Sequence, residues 1–112
     1  MTVHEFSFPP PGKLLNANSH GHWATRARAV KVWRTAVAYS VPRDLRGALL
    51  GYSQVAVTLP VTGRHRRDPH NWYPTLKVIV DGLVTAGVFE DDSSEHLTTT
   101  EPALDLGATG TI

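Results

Sequence analysis

Apolar and polar positions change period several times along this chain. Residues 3–8 alternate, with His4, Phe6 and Phe8 to one side, and predict a strand. The prolines at 9–11 end it, because they have no N–H to give a ladder. Residues 12–22 hold turn formers without a period and predict a loop. From about Ala24 to Ser40 the period becomes helical, with Val30, Trp33, Val37 and Val41 at steps of three and four, until Pro42 stops it. Residues 52–61 alternate again: Val55, Val57, Leu59 and Val61 face one way, Gln54, Ala56 and Thr58 the other, as in a half-buried strand. A second helix is predicted from Pro74 to about Ala86, with Leu76, Ile79, Val80, Leu83 and Val84 on one stripe and Gly87 as its stop. Lys77 and Asp81 lie off that stripe, one turn apart. The threonine-rich tail predicts one or two further strands. Together these predict one α+β domain over 1–112: a small mixed or antiparallel sheet with two main helices, in the order β-α-β-α-β(β).

Composition narrows the class. The chain has 112 residues, 41% of them hydrophobic, enough for one modest core that a partner subunit would help to cover. There is no cysteine, which excludes disulfides, thiolate metal sites and cysteine nucleophiles. The first residues lack a basic start followed by an apolar run, and no apolar stretch nears the roughly 20 residues of a bilayer span. A cytoplasmic protein without a membrane partner is expected.

The formal net charge of +1 conceals a polarity. Residues 1–77 hold all eleven Lys and Arg against Glu5, Asp44 and Asp68, a formal +8, while residues 78–112 hold seven acids and neither Lys nor Arg. A basic front half suits a polyanion, and clustered acids suit a metal or open solvent. Arg28, Lys31 and Arg34 step by three along the first helix. A solvated face explains them, and so does contact with DNA phosphates.

The densest chemistry lies at RHRRDPHN, residues 64–71. A residue before proline is pushed toward extended backbone, and in extended backbone residues two apart point the same way, so Asp68 and His70 should project together. Arg64, Arg66 and Arg67 precede them, and Glu90, Asp91 and Asp92 follow the second helix. Oxygen ligands beside arginines suit phosphodiester hydrolysis, in which a hard cation activates water and basic groups position the backbone. A loop of salt-bridged surface charges remains the plainer alternative.

The stretch RRDPHN followed by LKVIVDGLVTAGVFEDDSS resembles the RusA family of Holliday junction resolvases. That family has a basic run, an Asp-x-Asp-Asn motif, a helix carrying Lys and Asp, an Ala-Gly break and a closing Asp-Asp pair. The resemblance covers residues 64–94 firmly and reaches the N-terminal segment and first helix more loosely. It implies a homodimeric, Mg²⁺-dependent endonuclease that cuts four-way DNA junctions. Asp68 matches the first metal-binding aspartate, Asp92 the closing one, Lys77 the catalytic helix lysine and Asn71 the motif asparagine; Asp91 is a supporting metal-site acid. Arg64, Arg66, Arg67, Arg28, Lys31 and Arg34 would hold DNA.

Three departures stand out. His70 takes the place of the second aspartate, three residues are inserted between Asn71 and Lys77, and the last strand is shorter than the family's. Imidazole in place of a carboxylate moves metal preference from Mg²⁺ toward Mn²⁺; His70 as general base, phosphate contact or structural residue also stays open. The helix between Asp68 and Asp92 is about 20 Å long at 1.5 Å per residue, so a shared metal requires the chain to fold back after Gly87, or two subunits to pair. Trp23 and Trp33, at helical phase, are expected in the core. His4, His20, His22 and His96 are expected to be structural or loop residues. Two other functions remain alongside the nuclease: a catalytically weak module that binds branched DNA, and a protein whose charges only solubilise it.

Overall fold

A computed structural model describes residues 3–15, 23–60, 72–93, 97–100 and 103–105. Helix α1 spans Trp23–Ser40, strands β1 and β2 span Ser53–Val55 and Thr58–Pro60, helix α2 spans Tyr73–Thr85, and strands β3 and β4 span Leu97–Thr99 and Ala103–Asp105.

The α1 stripe forms as its spacing requires. Trp33, Val37 and Val41 are buried and Val30 packs against the core, while Ser40 Oγ donates to the Ala36 carbonyl at 2.7 Å one turn back. Pro42 then opens a turn, its carbonyl accepting from the Leu45 and Arg46 N–H groups. The Trp33 indole N–H donates to the Lys13 carbonyl at 3.1 Å, tying the N-terminal loop to the helix. Trp23 departs from expectation: at the first position of α1, two turns ahead of Val30, it is 76% exposed.

Helix α2 is buried far more fully than its apolar stripe implies. Thr75, Val78 and Gly82 join Leu76, Ile79, Val80 and Leu83 inside. Pro74 sits in the first turn, where its missing N–H costs nothing. Thr75 is wholly buried and its hydroxyl donates to the Leu15 carbonyl at 2.7 Å, which satisfies a donor that would otherwise be costly. Gly82 lets the two helices meet: a Cβ there would lie 2.6 Å from Val37 Cβ and 3.0 Å from the Arg34 carbonyl oxygen.

The sheet corrects the sequence expectation twice. Both pairings are parallel, β1 with β3 and β2 with β4, not antiparallel. From Ser53↔Leu97 to Thr58↔Ala103 the second segment advances one residue more than the first, so the register shifts by one between the two strand pairs. Thr100 N–H to the Val55 carbonyl and Ala103 N–H to the Val57 carbonyl bracket the shift. The inward-outward alternation holds through the break: Val57 and Leu59 are buried, Gln54, Ala56 and Thr58 exposed.

The second correction concerns residues 3–8, which join no ladder, so the described order is α-β-β-α-β-β. The segment is held by its rings instead. Phe8 is buried, Phe6 packs against the core, and their centroids are 6.3 Å apart. A groove of about 1080 Å³ separates this segment from residues 50–58. Among the described residues no helix is long and apolar enough to cross a membrane.

Candidate functional site

Tyr73, Lys77 and Thr85 are exposed and Asp81 is half-buried, at steps of four along α2, on a helix otherwise mostly enclosed. Steps of four lie one above another on a helix, so this is a single polar strip. Lys77 Nζ lies 3.4 Å from Asp81 Oδ1, one turn on.

The chain then reverses. Gly87 adopts φ +78, a conformation glycine takes without strain, and ends the helix with its N–H donating to the Val84 carbonyl. Residues 86–88 are gripped by main-chain hydrogen bonds: the Gly47, Leu49 and Leu50 N–H groups donate to the Ala86, Gly87 and Val88 carbonyls at 3.0, 3.0 and 2.7 Å. The approach is tight enough that a Cβ on Gly87 would lie 2.9 Å from Gly47 Cα. Val88 and Phe89 bury themselves in the core and send the following acids back along α2.

Asp92 thereby reaches Lys77, whose Nζ donates to its Oδ2 at 2.8 Å. The neighbouring Asp91 turns its carboxylate to the loop, accepting from the Ser93 N–H at 2.7 Å, an Asx turn that fixes the tip. Hydrogen bonding to Asp92 raises the Lys77 ammonium above its ordinary value, with burial opposing and the Asp81 carboxylate reinforcing. The same hydrogen bond, then the lysine's charge, holds the Asp92 carboxyl below the usual range, while the adjacent Asp91 opposes. Both side chains stay open to water, at 63% and 47% exposure.

Of the sequence-predicted site residues, the structure thus brings together Lys77 and Asp92, with Asp91 beside them in the loop. Asp68, His70, Asn71, Arg64, Arg66 and Arg67 lie outside the described residues. Among the described residues no three acids or histidines gather as a metal-binding group. Arg28 and Lys31 are exposed on α1 and Arg34 is half-buried. After Gly87 the chain folds back along α2, and Asp92 reaches Lys77 in the first half of the helix. Asp81, noted in the sequence as lying one turn from Lys77 off the apolar stripe but not assigned to the site, emerges as a second partner of Lys77.

Comparison with family models, with curated proteins and with solved structures finds no match to this chain.

Proposed function

We propose that this protein is a divalent-metal-dependent DNA endonuclease of the RusA type, acting on four-way junctions as a homodimer. What supports the reading is one observation: the helix lysine and the closing aspartate, named as one site by the sequence resemblance, lie 2.8 Å apart across fifteen residues. The donor chemistry agrees. Asp92 is an exposed carboxylate, and Lys77 stands among Asp81, Asp91 and Asp92 with a formal local charge of −2. Such a surface repels a phosphodiester unless a cation intervenes, and oxygen donors suit Mg²⁺. Asp92 would hold it with Asp68 and His70, and His70 opens the site to Mn²⁺.

When bound, the metal would lower the pKa of a coordinated water and neutralise charge on the phosphate. Lys77 presents an ammonium to the phosphate oxygens as their charge grows, and Asp81 keeps that ammonium on the strip. Asp91 fixes the loop that carries Asp92. The arginines at 64, 66 and 67, with Arg28, Lys31 and Arg34, hold the DNA backbone.

The test is a labelled synthetic four-way junction beside a linear duplex of the same sequence, with Mg²⁺, with Mn²⁺ and with chelator. Paired symmetric nicks confined to the junction, absent in chelator and in Asp68→Asn and Asp92→Asn, are expected. Junction-selective binding without nicks in either metal overturns the nuclease in favour of a branched-DNA-binding module, and absence of binding at low salt overturns both.

A further inference from the structure

We propose that the cleft beside the Lys77–Asp92 pair receives the base and sugar of a nucleotide adjoining the bound phosphate, with the Tyr73 ring as its stacking face; this rests on the nuclease reading and assigns a nucleoside subsite to the same site. The cleft holds about 580 Å³, within the range of small-molecule sites. Its walls differ in chemistry. Tyr73, 38% exposed, stands one turn before Lys77 on the polar strip of α2. Leu76 and Leu97, both buried in the core, give an apolar floor. Thr98 and Thr99, both exposed residues of β3, complete the lining. The Thr98 hydroxyl lies 3.1 Å from the hydroxyl of Tyr52, which is not part of that lining.

An aromatic face, an apolar floor and hydroxyls that both donate and accept match a nucleobase with its deoxyribose, since every base has a π-face and a polar edge. Charge sets the direction. Lys77 and Asp92 line one side of the cleft, so a phosphate held there by lysine and cation leaves the attached nucleoside to fall against Tyr73. Tyr73 belongs to the segment inserted between Asn71 and Lys77, which gives that insertion a task. Stacking tolerates any base, and Thr98 and Thr99 supply the preference among bases.

Titration of the full-length protein with thymidine 5′-monophosphate in Ca²⁺, followed by backbone amide resonances, tests this. The nucleotide has no internucleotide bond, so the experiment reads the cleft and not cleavage. Saturable shifts at Tyr73, Thr98 and Thr99 are expected. 2-Deoxyribose 5-phosphate and inorganic phosphate should bind about tenfold more weakly, as should the nucleotide to Tyr73→Ala, while Tyr73→Phe retains wild-type affinity. Circular dichroism of the Tyr73 variants checks that they fold. Equal affinity for nucleotide and baseless sugar phosphate, or undiminished nucleotide binding in a folded Tyr73→Ala, overturns the subsite. Nucleotide binding as described by a protein that leaves junctions whole overturns the nuclease alone, and junction cutting with no base-dependent binding overturns the subsite alone.

Discussion

Lys77 on α2 donates to Asp92 in the loop beyond it at 2.8 Å, and both side chains remain substantially in water. Exposure decides what the pair is worth. Open ion pairs contribute about 0–1 kcal/mol to stability, whereas a cation aimed at developing charge contributes far more to a rate. Lys77→Ala should therefore unfold within about 1 kcal/mol of wild type in denaturant. Its junction cleavage should fall by about a hundredfold or more. Cleavage at the wild-type rate would remove Lys77 from the chemistry.

The pair also fixes a pH dependence. Asp92 titrates below its ordinary value when folded, so its contribution is present above the ordinary carboxylate range and is lost as pH falls through the lowered value. Lys77 is raised, so its contribution is complete below the ordinary lysine value and is lost as pH rises through the raised one. Carbon-detected titration of the Asp92 carboxyl should show a depressed midpoint that returns toward the usual carboxylate value in Lys77→Ala.

Gly82 should tolerate no side chain. Alanine would gain about 1 kcal/mol in helix propensity, but its Cβ would meet Val37 Cβ at 2.6 Å, and overpacking of this kind costs about 1–3 kcal/mol. The obstacle includes the Arg34 carbonyl, which cannot swing aside as a flexible side chain would. Net destabilisation of up to about 2 kcal/mol is expected by denaturant unfolding. Gly12→Ala, with nothing within 4 Å of the new methyl, should change stability by less than about 0.5 kcal/mol.

Two buried tryptophans should respond differently to phenylalanine. The Trp33 N–H serves the Lys13 carbonyl, while the Trp72 N–H has no acceptor among the described residues. Trp33→Phe strands an acceptor, and Trp72→Phe removes an unsatisfied donor whose burial costs about 1–3 kcal/mol. Thermal unfolding should find Trp72→Phe at least about 1 kcal/mol less damaging.

The helices were legible because a period of 3.6 survives in Trp33–Val37–Val41 and in Leu76–Ile79–Leu83, and because Pro42 and Gly87 punctuate them. The expected mixed or antiparallel sheet missed strand direction, on which periodicity is silent and which connectivity sets. A strand at 52–61, a helix at 74–86 and a strand in the tail form a β-α-β series, whose outer strands pair in parallel across the helix. The register shift between β3 and β4 left no comparable trace. Residues 3–8 misled because alternation records which side chains face inward, and Phe6 and Phe8 do so without a ladder partner. Within the site, Lys77 and Asp92 were named by the family resemblance, Asp92 also as one of the acids that follow the second helix. Tyr73 and Thr98 could not be named, since their proximity arises only when the parallel strand is laid beside α2.

The grip of residues 47–50 on residues 86–88 uses N–H and C=O groups that every non-proline residue carries. The placement of Asp92 is therefore insulated from sequence drift at the exposed positions of those two loops, such as Ala48, while Val88 still has to fill the core. Two positions escape that latitude. At Gly47 and Gly87 the main chains nearly touch, and a single methyl at Gly87 would lever the acidic loop away from the lysine without altering one charged residue.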